Sequence, residues 1–192
     1  MPEAAETAVE AKEKDRRVAL VIAILALLLA LSEAGAKRAQ HFSTEKNIEA
    51  SDLFNFYQAK RIRSTIAEAA AAALEAQKIA APPVALEAFD KQIGAFRAAV
   101  ARYEKDPKKP EDSLEALQER ADAAVEAREL ANRRLENFEF GSGALQIAIV
   151  LASAAIITGA NALLWMSVGL GVIGAILAAL GFFAPLALPT MA

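Results

Sequence analysis

Apolar and charged positions fall in blocks along this chain rather than being mixed evenly. Val18 to Leu31 is an unbroken apolar stretch, VALVIAILALLLAL, closed by Ser32 and Glu33. Ala144 to Trp165 and Val168 to Leu188 carry no charged residue. Between the first block and the other two lie Lys37 to Phe140, which hold 17 of the 21 basic residues.

A helix needs about 20 apolar residues to cross a bilayer's hydrocarbon. The two C-terminal blocks meet that length and predict a transmembrane hairpin. Its turn is expected within Asn161 to Ser167, with Trp165 at an interface, and Pro185 and Pro189 are expected to end the last helix. The first block is shorter. Its 14 residues match a signal-peptide core, with Arg16 and Arg17 before it and Ala34-Gly35-Ala36 behind it. The long acidic tail in front favours an uncleaved anchor over 18–36. Ser32 and Glu33 then sit near the headgroups, where a carboxylate is far less costly than at mid-bilayer.

The charged middle predicts three helical stretches. The first covers about Thr44 to Ala81, can run on directly from the first membrane helix, and stops at Pro82-Pro83. The second, from Pro83 to about Lys105, places Leu86, Phe89, Ile93, Phe96, Val100 and Tyr103 at steps of 3, 4, 3, 4 and 3, a heptad seam. Asp106 to Pro110 breaks it. The third, from Glu111 to about Phe140, has a seam at Leu114, Leu117, Ala121, Ala124, Arg128, Ala131, Leu135 and Phe138. The chain must return to the membrane face it left. At 1.5 Å per residue, Lys37 to Ala81 rises roughly 65 Å and Val84 to Phe140 at most about 85 Å. A tip at Pro82-Pro83 with a kink at Asp106 to Pro110 satisfies this. The alternative is a hairpin at Asp106 to Pro110 with the first helix bent near Phe42 to Asn47.

The expected fold is therefore an all-α membrane protein with three transmembrane helices. A long extramembranous helical-hairpin or coiled-coil arm lies between the first and second. The segments are a polar tail at 1–17, helix 18–36, arm 37–140, and helices 144–165 and 168–188.

Composition agrees. Hydrophobic residues make up 55% of the chain, above the roughly 45–50% usual for soluble domains. With no cysteine, disulfides and thiolate metal sites are excluded. A net charge of −3 without a long Lys/Arg run gives no reason to expect nucleic acid. No phosphate loop, nucleophile elbow, HExxH or paired catalytic carboxylates are present, so an enzyme, a cofactor and a metal are not expected. His41 with Glu45 is a lone pair, short of a metal site.

Small residues recur every four positions at Ala144, Ala148 and Ala152 and at Gly171, Ala175 and Ala179. Such faces allow close helix approach, within the hairpin or between subunits. Gln146, Ser153, Thr158 and Asn161 are the polar residues of the second block. Ser153 and Thr158 lie about 140° apart on a helix, so they form no pore-like stripe, and interhelical hydrogen bonding is expected instead.

The stretch Asn47 to Arg63, NIEASDLFNFYQAKRIR, and the stretch Leu145 to Leu151, LQIAIVL, resemble the signatures of an uncharacterised bacterial membrane family, domain of unknown function 4337. The resemblance implies a first membrane helix before the former motif and a second opening at the latter. It implies no activity. Within the first motif, Glu49, Asp52, Tyr57, Gln58 and Lys60 are candidates for specific contacts. They would act as a polar cluster docking another helix or, more simply, through capping and i,i+4 pairing. Family members often carry arginines in the last turn, whereas Gly159-Ala160-Asn161-Ala162 here has no charge.

The functional expectation is a non-enzymatic structural or interaction protein of the bacterial inner membrane. It would self-associate through its heptad seams and small-residue faces, and another membrane or envelope protein is a possible partner. Lys12, Lys14, Arg16 and Arg17 before the first helix favour a cytoplasmic N-terminus and a periplasmic arm, although Lys37 and Arg38 follow it. A channel or transporter subunit is the alternative.

Overall fold

The computed structural model describes the backbone of residues 2–187 and the side chains of 16–187. Pro189, Leu188 and the side chains of Lys12 and Lys14 therefore lie outside the described residues. Within them the chain is all-helical: α1 is Pro2–Lys78, α2 Leu86–Glu104, α3 Leu114–Thr158 and α4 Asn161–Phe183. Short 3-10 turns at Pro83–Ala85 and Pro110–Asp112 precede α2 and α3. Three helices, α1, α3 and α4, are long and apolar enough to cross a membrane.

As the sequence allows, α1 runs on directly from its apolar block into the charged stretch that follows, and α3 passes through Gly141 and Gly143 without a break. One expected boundary moves. The break between the last two helices falls at Gly159-Ala160, not within Asn161 to Ser167. Gly159 has φ +70° and donates its N–H to the Ala155 carbonyl. This is the left-handed residue that commonly closes a helix and that glycine adopts without steric cost. Pro185 does follow the end of α4, as expected.

The chain divides into two compact units. One joins residues up to Thr44 with those from Arg128 onward; the other is Glu45–Ala127. They are called the apolar and charged units below.

In the charged unit, partner numbers run in opposite directions. Leu53 packs with Leu117 and Ala121. Lys60 donates to the Asp112 carbonyl, Glu75 meets Arg97 at 2.6 Å, and Lys78 meets Asp90. The C-terminal part of α1 is thus one side of an antiparallel pair, and α2 with the start of α3 is the other. The chain reverses at Pro82-Pro83. The Asp106 to Pro110 break interrupts the returning side: the Asp106 carboxylate accepts from the Lys108 N–H, and Ser113 caps α3 by accepting from the Ala116 N–H. The arm is therefore not a simple two-helix hairpin.

In the apolar unit, α1, α3 and α4 form a three-helix bundle. Leu25, Leu145 and Ala148 make one core cluster, and Ala39, Phe138 and Ala178 another. Many large aliphatic residues nevertheless lie on the outside, among them Leu20, Leu27, Val150, Ile157, Val172 and Ile176.

Candidate interaction faces

The α3 seam sits where its spacing puts it. Leu114, Leu117, Ala121, Ala124, Ala131 and Phe138 are buried, while Arg128 and Leu135 are half-buried. In α2 only Ile93 is buried, and Phe96 stays exposed. A seam in α1 escaped the reading of apolar positions. In the charged unit it runs through Lys46, Ala50, Leu53, Tyr57, Lys60, Ser64, Ala67 and Ala71, all buried or half-buried at steps of 4 and 3. Six of these eight residues are lysine, serine or alanine, so the apolar signal is faint although the 3,4 spacing is intact.

The motif residues have separate surroundings. Glu49 is half-buried and pairs with Lys46 at 2.6 Å one turn earlier. That hydrogen bond holds the Lys46 ammonium above its ordinary value against the opposing effect of desolvation, with further help from the charges of Glu49 and Glu45. Tyr57 packs its ring on the cluster of Leu53, Leu117 and Ala121. Lys60 lies 5.2 Å from the Phe56 ring centroid, with its ammonium on the Asp112 carbonyl. This bond ties α1 to the turn before α3. Asp52 and Gln58 are exposed, as are His41 and Glu45.

In the apolar unit, α4 meets its neighbours through Ser167, Gly171, Gly174, Ala178 and Gly181, all buried. A Cβ on Gly174 would stand 2.8 Å from Leu145 Cγ and 2.9 Å from the Gly141 carbonyl oxygen. Gly171 faces Leu25, and Gly181 takes the edge of Phe138. Phe138 also packs edge-on against Phe182, with centroids 4.7 Å apart. Of the four-residue series on α4, only Gly171 belongs to this seam. Ala175 is half-buried in a shallow groove beside Leu25 and Leu28, and Ala179 is exposed. Ala148 and Ala152 of α3 are buried within the bundle.

Serines join the apolar helices. Ser142 donates to Ser32 Oγ at 3.0 Å, and Ser32 donates to the Phe138 carbonyl at 3.0 Å. Ser167 donates to the Ala148 carbonyl at 2.7 Å. Gln146 approaches Glu33 at 3.5 Å. Ser153 and Thr158 depart from the interhelical expectation. Each bonds a carbonyl four residues back in α3, at 2.9 and 2.8 Å, which a short hydroxyl side chain on a helix reaches without any partner helix.

These features define a class first: an all-helical chain with three helices able to cross a membrane and a charged helical unit between the first and second apolar segments. The chain belongs to the family described as Domain of unknown function (DUF4337), which matches residues 14–184. No curated protein and no solved structure matches it.

Proposed function

We propose that this chain is a non-enzymatic structural or interaction protein of the bacterial inner membrane, anchored by three helices and self-associating. The observation that carries the reading is the inversion within the apolar unit. Large aliphatic side chains cover its outside, while α4 meets its neighbours through glycine, alanine and serine and only a few large residues, Leu25, Phe138 and Leu145 among them, lie inside. Such an exterior is tolerable only against lipid or another apolar surface. The charged unit is then the extramembranous arm, presented to other copies or to an envelope partner. The heptad seams and the small-residue faces are largely engaged within one chain, so self-association uses other surfaces. The N-terminus is placed in the cytoplasm and the arm in the periplasm.

Alkaline carbonate extraction tests the anchoring: the chain should stay with the membrane pellet, and release into the supernatant refutes it. A reporter fused after Ala192 should read periplasmic; a cytoplasmic signal reverses the orientation. Mass measurement of the detergent-solubilised protein should give more than one copy, and a strict monomer at micromolar concentration removes self-association.

A further inference from the structure

In the charged unit the packing seam accounts for one side of α1. The opposite side carries a second set of positions with heptad spacing: Ile48, Asn55, Ala59, Ile62, Ile66 and Ala69, separated by 7, 4, 3, 4 and 3. All are exposed, and the three isoleucines are 56%, 60% and 63% exposed. Ser64 stands midway between Ile62 and Ile66 in sequence and is buried. At 100° per residue it lies about 160° around the helix from each of them. The two faces are therefore nearly opposite, and nothing within the unit covers the second.

Lipid is a poor cover for this face. Lys60, Arg61, Arg63 and Glu68 project from the same turns of α1, and charges so closely spaced keep the helix out of hydrocarbon. Positions alternating by three and four over 22 residues, roughly 33 Å of helix, are apolar at five of seven, with Asp52 and Asn55 the exceptions, and suit another helix running alongside. Copies anchored in one membrane carry α1 in the same direction and at the same depth. Each position then meets its own counterpart. Ile62 and Ile66 stack on themselves, Ala59 and Ala69 let the backbones approach, and Asn55 meets Asn55, whose amide both donates and accepts. Asp52 falls in the same register and repels its counterpart, which keeps the contact weak until the membrane concentrates the copies.

We propose that this face of α1 is where two copies of the chain pair, α1 against α1, parallel and in register. The proposal rests on the self-association and membrane reading above and supplies its surface.

The chain has no cysteine, so single substitutions report cleanly. Ala59→Cys, Ile62→Cys, Ile66→Cys and Ala69→Cys, oxidised in native membranes, should each give a disulfide-linked dimer. Arg61→Cys and Glu68→Cys, exposed but off the face, should give at least about tenfold less, as heptad phasing requires. In detergent, Ile62→Glu with Ile66→Glu should weaken the dimer by on the order of tenfold to a hundredfold, and Asp52→Ala should tighten it. Retained helical circular dichroism shows that the variants fold. Equal crosslinking on and off the face overturns the proposal, and so does none at 59–69 in a protein whose mass is a dimer or more. Either result leaves self-association standing, whereas a monomeric mass removes both. Crosslinks that form only between differently numbered cysteines overturn the parallel register.

Discussion

The two units of this molecule share alanine-rich interiors and differ in what else they bury and in what they expose. In the charged unit Leu53, Leu117 and the Tyr57 ring form one cluster beside buried alanines and Ser64, and the outside is rich in Lys, Arg and Glu. In the apolar unit α4 packs through Gly171, Gly174, Ala178 and Gly181, and leucine, valine and isoleucine point outward. The surroundings explain the contrast. Water rewards removal of apolar area at about 25 cal/mol per Å², so large residues go inside. Lipid offers no such gain, so helices adhere by close approach and hydrogen bonds, which small residues and serines supply.

The comparison predicts opposite sensitivities. The largest effect is expected at Leu117→Ala, which removes a fully buried side chain from the charged unit. A loss of about 2–5 kcal/mol should appear as faster amide hydrogen exchange across Glu45–Ala127. Gly174→Val should do comparable harm by addition rather than removal. Its Cβ meets the Gly141 carbonyl oxygen and Leu145, at a cost of about 1–3 kcal/mol, read as a lower melting temperature in detergent. If Gly174→Val is neutral, the close-packed account of the apolar unit is wrong. Ser32→Ala removes the acceptor of Ser142 and the donor to the Phe138 carbonyl. Intramembrane hydrogen bonds average about 0.6 kcal/mol, so its effect should be smaller than either.

The smallest effect concerns pH. Lys46 is held above its ordinary value of 10.5, chiefly by its hydrogen bond to Glu49. A raised folded value means the contribution is complete below the unfolded value and lost as pH rises through the folded one. Lys46→Met should therefore flatten a slight alkaline loss of helix stability above about pH 10.5 and change nothing near neutrality. Circular dichroism between pH 8 and 12 checks this, and an unchanged alkaline slope would remove the pair from any role in stability.

Much of this architecture was legible from periodicity and composition. Blocks free of charge announce α4 and the end of α3. Pro82-Pro83 announces the reversal, and the α3 heptad announces the face that is buried. The turn before α4 was signalled by Gly159, but the charge-free stretch around it hid where one helix stops. The α1 seam was hidden because its positions hold Ser64, Lys60, Lys46 and several alanines. Polar and small residues mark a seam only once their partners are known, such as Asp112 for Lys60 and Phe138 for Ser32.

The sequence by itself determined that the chain is helical, which segments are apolar enough to cross a membrane, and where proline stops a helix. These follow from local chemistry: backbone hydrogen bonding, side-chain hydropathy and missing N–H groups. Tertiary structure alone decided which of the two heptad faces of α1 is consumed. The 3,4 spacing is the same on both, and the difference lies in whether a neighbouring helix covers Leu53, Tyr57 and Ser64 or leaves Ile48, Ile62 and Ile66 open.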